Sequence, residues 1–398
     1  AGTNTLTATA TDAAGNTGAA STGLAVTIDT TSPAAPTAPD LTASSDTGTA
    51  SDDDITNDTT PTLAGTAEAN STVTLTSSID GAVGTATADG SGIWAAATSA
   101  LSDGVHDLTA TATDAVGNES PASTALSVTV DTSTPDAPSA PDLADASDSG
   151  SSSSDDNTSN TTPTLSGTAE AGSTVNVTSD IDGIVATTTA DVTTGAWAVA
   201  TSALSEGVHS LTATATDSVD NTSAASTALA VTIDTTNPAA PGTPDLDAAS
   251  DTGTASDDDI TSSTALTVSG TAEAGSTVTV TSDIDGVVAT TTADVTTGDW
   301  AVATSALSDG IHSLTVTATD VAGNASAASV ALAVNVDTVA PTVAIDSLGT
   351  NDNTPPLTGT IDDPNAIISV IVDGQTITAT NAGTTWSIAD GVVTTLTD

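Results

Sequence analysis

The feature that most constrains this chain is an internal repeat of about 100 residues. The segment TATDAAGN ending at Asn16 returns as TATDAVGN at Asn118, TATDSVDN at Asn221 and TATDVAGN at Asn324, spacings of 102, 103 and 103 residues. An aspartate followed four residues later by a proline keeps the same beat: Asp29 with Pro33, Asp131 with Pro135, Asp234 with Pro238, and Asp337 with Pro341. A period of that length is one small β-domain, long enough for each copy to bury its own core.

Inside a repeat, apolar residues alternate with Thr, Ser and Ala, and turn residues recur every eight to twelve positions or so, the pattern of short antiparallel strands. In the first complete copy the pattern predicts strand A near Asp40 to Thr42, B near Thr60 to Ala67, C near Ser71 to Thr76 and D near Val83 to Thr87. Strand E follows near Ile93 to Thr98, F near His106 to Thr113 and G near Ser123 to Val130. Seven such strands imply an all-β chain of tandem immunoglobulin-like sandwiches, set end to end as an extended rod. The expected divisions are 1–33 (strands F and G only), complete repeats at 34–136, 137–239 and 240–341, and a divergent 342–398 (strands A to E). Proline-rich stretches such as SPAAPTAPD, Ser32 to Asp40, are expected to be stiff, extended linkers.

Composition then removes whole classes of function. The chain has no Lys or Arg and a net charge of -51, so it cannot neutralise phosphates; nucleic acid and anionic membrane surfaces are excluded as direct partners. It has no Cys, hence no disulfide, thiolate nucleophile or zinc-thiolate site. No apolar run reaches the roughly 18 residues of a membrane span, and the residues given open on no targeting segment. Such charge with so few large aliphatic side chains meets the compositional rule for disorder, but the repeat overrules it.

The cores are built from Ala, Val, Leu and Thr with one large residue each, Trp94, Trp197, Trp300 and Trp386. Their alternation with Ala and Val puts them on the inward face, so they read as core anchors rather than ligand-stacking platforms. Three histidines, His106, His209 and His312, recur in the motif D/E-G-V/I-H at the turn between E and F. No nucleophile motif or phosphate loop accompanies them, so a hydrogen bond holding that corner fits better than acid–base catalysis. Paired carboxylates can hydrolyse glycosides, but acids spread evenly over repeats fit a structural metal array better than one cleft.

In such a sandwich the loops BC, DE and FG share the pole where the chain comes in, and AB, CD, EF and the end of G share the other. Glu68, Glu170 and Glu273 fall in the BC loop of the repeated GTAE, and Asp114, Asp217 and Asp320 end strand F beside them. Asp29, Asp131, Asp234 and Asp337 close strand G and therefore meet the next repeat. Each junction should gather Asp29 with Glu68 and Asp114, Asp131 with Glu170 and Asp217, or Asp234 with Glu273 and Asp320. With no internal cation to relieve the repulsion, a metal is expected. Hard oxygen donors without His or Cys favour Ca2+ over Mg2+, with Asn118, Asn221 and Asn324 as further candidate ligands. The bland alternative is a charged rim that keeps the protein soluble.

A second acidic group lies in the AB loop, from Ser45 to Asn57, Ser147 to Asn160 and Ser250 to Ser262. Its candidate ligands are Asp46, Asp52, Asp53 and Asp54; Asp148, Asp155 and Asp156; and Asp251, Asp257, Asp258 and Asp259. The Asp-x-Gly step with clustered Asp is similar to flexible Ca2+-wrapping loops without having EF-hand spacing; the alternative is a solvated acidic loop. In the final copy Asp362 takes the glutamate's position and the AB region shrinks, so a junction site is expected to survive there and the AB-loop site to be lost.

The string GTAEAGSTVTV, the Trp, DGVHSLTATATD-x-x-GN and VTVDT-x-x-P together resemble the bacterial Ig-like repeats of giant secreted adhesins, including those exported by type I secretion. The resemblance covers nearly the whole chain. It implies an extracellular, cell-surface extender module that projects a distal binding domain and stiffens when Ca2+ binds between repeats. The expected protein is therefore non-enzymatic, with neighbouring repeats or other copies of itself as partners. Two rivals stay open at this point. One is a subunit of a self-assembling filament or surface layer, its chain ends joined by strand complementation rather than belonging to a longer array. The other is a polysaccharide- or ice-binding module, which the absence of aromatic platforms and flat Thr arrays disfavours.

Overall fold

The computed structural model describes residues 2–252, 255, 257–394 and 396. All regular elements among them are strands. The chain divides into two compact units, Ala1–Thr235 and Thr236–Asp398.

The first unit opens with an antiparallel pair, β1 (Gly2–Leu6) and β2 (Leu24–Ile28). Its first complete repeat contains β3 (Asp40–Leu41), β4 (Ile55–Thr56), β5 (Thr62–Thr66), β6 (Thr72–Ser77), β7 (Gly81–Thr87), β8 (Ile93–Ala97), β9 (Gly104–Thr113) and β10 (Leu126–Val130). Two sheets result: a three-stranded one ordered β3-β5-β8, and a five-stranded one ordered β4-β10-β9-β6-β7. The same pair of sheets recurs in the second repeat, and again in the third repeat within the second unit. The last segment forms a four-stranded sheet through Leu357–Ile361 and Thr385–Ile388, and a separate pair, Ser369–Val372 with Gln375–Thr378.

Alternation explains the core. In β6 the inward residues Val73 and Leu75 are fully buried, as are Leu108 and Ala110 in β9, Leu63 in β5 and Val128 in β10. Each such Leu or Val contributes about 1.5–3 kcal/mol by leaving water. Trp94 fills the remaining volume and is itself buried. Across the sheet it pairs with Gly65, where an added Cβ would stand 2.7 Å from the indole Cζ2. Gly167 and Gly270 lie under Trp197 and Trp300 in the same way, so the Gly of the repeated GTAE is the seat of the Trp.

Four details go beyond or differ from the sequence pattern. The strand expected as D is β7, which pairs with β6 and not with β8, so it extends the larger sheet. A further strand, β4, lies inside the acidic segment and pairs in parallel with β10. We call the segment between β3 and β4 the A–A′ loop. The proline-rich stretches are not free spacers. Pro33, Pro36 and Pro39 are buried, and Thr37 exchanges bonds with Thr66 on β5, N–H to O at 3.0 Å and Oγ1 accepting N–H at 2.9 Å. Strand β10 also starts later than expected. In place of ladder bonds, Ser120 and Ser123 offer Oγ to the N–H groups of Ala112 and Ala110, at 2.9 and 3.0 Å.

Candidate cation sites at the repeat poles

The junction carboxylates ride on rigid turns. After β9, Asp114 Oδ1 accepts the N–H groups of Val116 and Asn118, both at 2.9 Å, and Oδ2 accepts Asn118 Nδ2 at 2.8 Å. Those bonds, the Asn118 side chain first, hold the Asp114 carboxyl below the usual range. The same Nδ2 donates to the backbone oxygen of Asp29 at 3.1 Å. In the next copy Asn221 Nδ2 donates to Asp131 O at 2.9 Å and to Asp217 Oδ2 at 2.9 Å. Asn118 and Asn221 thus tie one repeat to its predecessor as donors, and only their Oδ1 remains to face a cation.

Asp29, Glu68 and Asp114 line a single cleft of about 210 Å³, closed by Ala69, Asn70 and Ser71. Asp131, Asp217 and Asn221 repeat the arrangement of turn and tie, with Glu170 on a neighbouring cleft that includes Asp136 and Ser139. Among the described residues no three carboxylates stand close enough to enclose one ion. Any cation in the 210 Å³ cleft would therefore keep water in its shell. Asp234 closes the first unit, while Glu273, Asp320 and Asn324 belong to the second, where Asp320 Oδ1 accepts Asn324 N–H at 2.8 Å and Oδ2 accepts its Nδ2 at 2.9 Å.

The last junction departs from expectation. Asp362 is bonded to Thr342, whose N–H reaches Oδ1 at 2.8 Å and whose hydroxyl reaches Oδ2, and these bonds hold its carboxyl low. The neighbour Asp363, not Asp362, lines the cleft that contains Asp337. The motif GTIDDP offers two adjacent acids, and the one in the glutamate's place is used by the backbone of its own repeat.

The A–A′ loops show more acute crowding. Asp46, Asp148 and Asp251 are each 7% exposed, and in each the Oδ1 atom is buried with no hydrogen-bond partner. The other oxygen faces the backbone across the loop: Asp148 Oδ2 accepts Asp156 N–H at 3.3 Å and Asp251 Oδ2 accepts Asp259 N–H at 3.2 Å. Asp54, Asp156 and Asp259 are half-buried and left-handed, with φ of 57°, 57° and 56°. Their carbonyls accept N–H bonds from Thr129, Thr232 and Asn335 on the last strand, which pins them. Burial pushes all three carboxyls up; the charges of Asp46, Asp148 and Asp251, then of Asp40, Asp142 and Asp245, push them further. Burial raises Asp46 as well, with Asp53 and Asp52 adding to it against the Asp54 N–H.

The remaining loop acids divide by role. Asp53, Asp155 and Asp258 cap their own turns, accepting N–H bonds at 3.2 Å from Ile55, Asn157 and Ile260. Asp52 and Asp257 are exposed. The sequence reading passed over Asp40, Asp142 and Asp245. A signal for them existed in the recurrent Pro-Asp-Leu: Leu41, Leu143 and Leu246 enter the core, so the preceding Asp must lie on the outer face of the same strand.

The histidines are wholly buried. His106 Nε2 faces the Ser102 carbonyl at 2.6 Å, and a carbonyl only accepts, so the proton sits on Nε2. Nδ1 faces the Ser77 hydroxyl at 2.8 Å and Asp80 Oδ2 at 3.6 Å, while Ser77 Oγ accepts N–H bonds from Ile79 and Asp80 at 3.1 and 3.2 Å. The set repeats at His209 and His312, with both nitrogens engaged within the corner.

A sequence profile described as "Bacterial Ig-like domain" matches residues 32–132, 134–235 and 238–338. The chain belongs to the bacterial Ig-like domain family. A second profile, "Bacterial Ig-like domain (group 3)", matches residues 298–381. Among solved structures, the bacterial Ig-like array is similar to a tetra-tandem repeat in the extending region of a large adhesion protein, at 25% identity over 84% of this chain and 88% of that one, with a TM-score of 0.28. It is also similar to the BSP domain of a biofilm-associated protein, at 13% identity over 79% and 68%, TM-score 0.21. Fibronectin(III)-like modules of Clostridium thermocellum CbhA match at 17% identity over 45% and 87%, TM-score 0.28. No curated protein matches the chain.

Proposed function

We propose that this array of bacterial Ig-like domains is an extracellular extender at a cell surface, a spacer between the cell and whatever a distal domain binds, and that Ca2+ at the junctions stiffens it. The observation that carries this reading is the tie between successive repeats, Asn118 to Asp29 and Asn221 to Asp131, set beside carboxylates that line a common cleft. Carboxylates, carbonyls, amide oxygens and water are the ligands Ca2+ takes, six to eight or so at a time. The fit is to a partly hydrated ion held by Asp29, Glu68 and Asp114, since no closed cage of three acids stands there. Ca2+ supplies the opposite charge that the chain lacks altogether. The repeats themselves do the rest: they fix the acids on turns whose bonds are already made, so little ordering is needed when the ion arrives.

The test is small-angle scattering and calorimetry of the chain in calcium and in chelator. Calcium should raise the melting temperature and lengthen the particle, and Glu68→Gln with Glu170→Gln should blunt the lengthening. Equal length and equal melting temperature in the two solutions would remove the basis for the reading.

A further inference from the structure

Strands β4 and β10 run parallel in an otherwise antiparallel repeat, with Ile55 opposite Thr129 and Thr56 opposite Val130. The same parallel patch joins Asn157–Thr158 to Leu229–Ile233 and Ile260–Thr261 to Leu332–Val336. Backbone bonds extend it at both ends. Thr129 N–H donates to Asp54 O and Asp131 N–H to Thr56 O, both at 2.9 Å. The counterparts are Thr232 to Asp156 at 2.8 Å and Asp234 to Thr158 at 3.0 Å, then Asn335 to Asp259 and Asp337 to Thr261, both at 2.9 Å.

The patch lies where the first part of a repeat meets its last. β4 follows the incoming strand β3, and β10 is the strand by which the chain leaves through Asp131. Tension along the chain draws β4 back toward the incoming end and β10 toward the outgoing end. On parallel neighbours these opposed pulls slide one strand past the other, so the evenly spaced bonds between them are loaded together. A pair drawn apart from one shared end loses its bonds one by one. Forced unfolding is governed by the barrier to unfolding, so where the bonds lie relative to the pull matters more than how stable the core is.

The two ends are not equally held. At the outgoing end β10 pairs with β9 over five residues, and Thr132 gives its N–H and its hydroxyl to Asp103 Oδ1 at 3.1 and 2.7 Å. At the incoming end β3 pairs with β5 over two residues, helped by the bonds between Thr37 and Thr66. The incoming end therefore yields first. Behind it lies the A–A′ loop, drawn into a ring by Thr56 Oγ1 donating to Ser45 O at 2.6 Å and by Asn57 N–H donating to Thr47 Oγ1 at 2.8 Å. The ring bond recurs from Thr158 to Ser147 and from Thr261 to Ser250, each at 2.6 Å. Residues 40–54 are slack held behind that bond, fifteen residues that span about 50 Å when extended. In the first repeat the loop also touches the next one. Thr49 N–H donates to Ser218 O at 3.1 Å, in the turn after Gly207–Thr216, and Gly48, with φ of 108°, permits the approach, since an added Cβ would stand 2.2 Å from Ser218 O.

We propose that the parallel β4–β10 pair is the mechanical clamp of each complete repeat, and that the ring ahead of it gives out a short length of chain before the clamp is loaded. The inference rests on the extender reading, since a spacer at a cell surface carries tension, and it adds how that tension is borne. The clamp is made of backbone bonds alone and works without any ion.

The experiment stretches the full chain by its two ends in optical tweezers, in chelator, so that no divalent ion contributes. The wild type should show a main rupture for each complete repeat, releasing about 260 Å for the chain between β4 and β10, each preceded by a step of about 50 Å. Thr56→Val, Thr158→Val and Thr261→Val together remove the ring bond and leave the backbone, so the short step should move to lower force while the main ruptures keep theirs. Thr129→Pro, Thr232→Pro and Asn335→Pro take away the N–H that faces Asp54, Asp156 or Asp259. Their main rupture force should fall roughly twofold. A second pulling direction leaves the ladder untouched: Thr60→Cys with Ser133→Cys places two handles at exposed positions of a chain that has no other thiol. Drawn apart from there, β10 peels from its own end, and the first repeat should open at a severalfold lower force. Unchanged main ruptures in the proline variants, or equal forces in the two directions, overturn the clamp, and the two directions decide by themselves if the proline variants do not fold. Main ruptures with no short step before them overturn the part given to the ring. Calcium-dependent length is measured separately and can be lost with the clamp intact, or kept with the clamp refuted, so the two readings fail independently.

Discussion

Filling the space under the tryptophans should be harmful even though the substitution is small. Gly65, Gly167 and Gly270 lie in ordinary extended backbone, so alanine meets no conformational penalty there and would gain about 0.4–1 kcal/mol by restricting the unfolded chain. Against that, the new Cβ would stand 2.7, 2.7 and 2.9 Å from the indole Cζ2 of Trp94, Trp197 and Trp300. Ordinary carbon contacts are about 3.5–4.0 Å, so ring or strand must move by roughly 1 Å in a packed core. Such overpacking costs about 1–3 kcal/mol, leaving a net loss on the order of 1–2 kcal/mol per repeat. For a domain of this size that lowers the melting temperature by roughly 5–15 °C. Calorimetry of the chain carrying all three Gly→Ala changes reads it directly. Adding Trp→Leu at 94, 197 and 300 removes the contact with the ring, and on that background the Gly→Ala changes should destabilise less, least at Gly270, since Thr37 Oγ1 at 3.0 Å and Ser139 Oγ at 2.9 Å still face the new Cβ at Gly65 and Gly167. If the three alanines leave the transition of the parent chain in place, the indoles do not rest on these glycines and the account of the core is wrong.

Three further outcomes can be measured. Replacing His106, His209 and His312 by Phe strands the Ser77 and Ser102 partners and their counterparts, and each unmet buried group costs about 1–3 kcal/mol, which should lower the urea midpoint of the chain. In chelator, acidity should first help: the folded-state pKa values of Asp54, Asp156 and Asp259 are raised, so their contribution is fully present below the unfolded value of about 3.9 and is lost as pH rises through the folded value. Asp80, Asp114, Asp182 and Asp285 are held low chiefly by hydrogen bonds, so they contribute above about 3.9 and fail as pH drops through their folded values. The calorimetric melting temperature in chelator should therefore peak in mild acid; a steady fall from neutrality downward would contradict this, and calcium should flatten the peak because proton and ion compete. Asn221→Ala removes the bond to Asp131 O, and scattering should show a more flexible chain with only a small change in the calorimetric transition.

The strands were legible because burial alternates along them: Val73 and Leu75 are inward in β6, and Leu108 and Ala110 are inward in β9. The tryptophans stood out as the only large side chains on such a face. Strand β4 was hidden because two residues carry no period and sit in an acidic run, and its pairing to β10 is long-range. The partner of β7 was hidden for a related reason, since alternation tells which face is buried and not which edge is joined. Within the acidic loops the pattern could not rank the aspartates. Only the ring closed by Thr56 makes Asp46 buried and leaves Asp52 exposed. At the first junction Asp29, Glu68 and Asp114 line one cleft, and the amide of Asn118 acts there through its nitrogen, which the motif alone does not reveal.

The contact between Thr49 and Ser218 is made by main-chain atoms on both sides. It asks of its partner only a carbonyl at the right place on a turn, whatever the side chain, and the repeats do vary there: Ala115-Val116, Ser218-Val219, Val321-Ala322. Unlike the side-chain ties of Asn118 and Asn221, this bond tolerates any residue at position 218, so here the fit between the first two repeats depends on the path of the backbone alone.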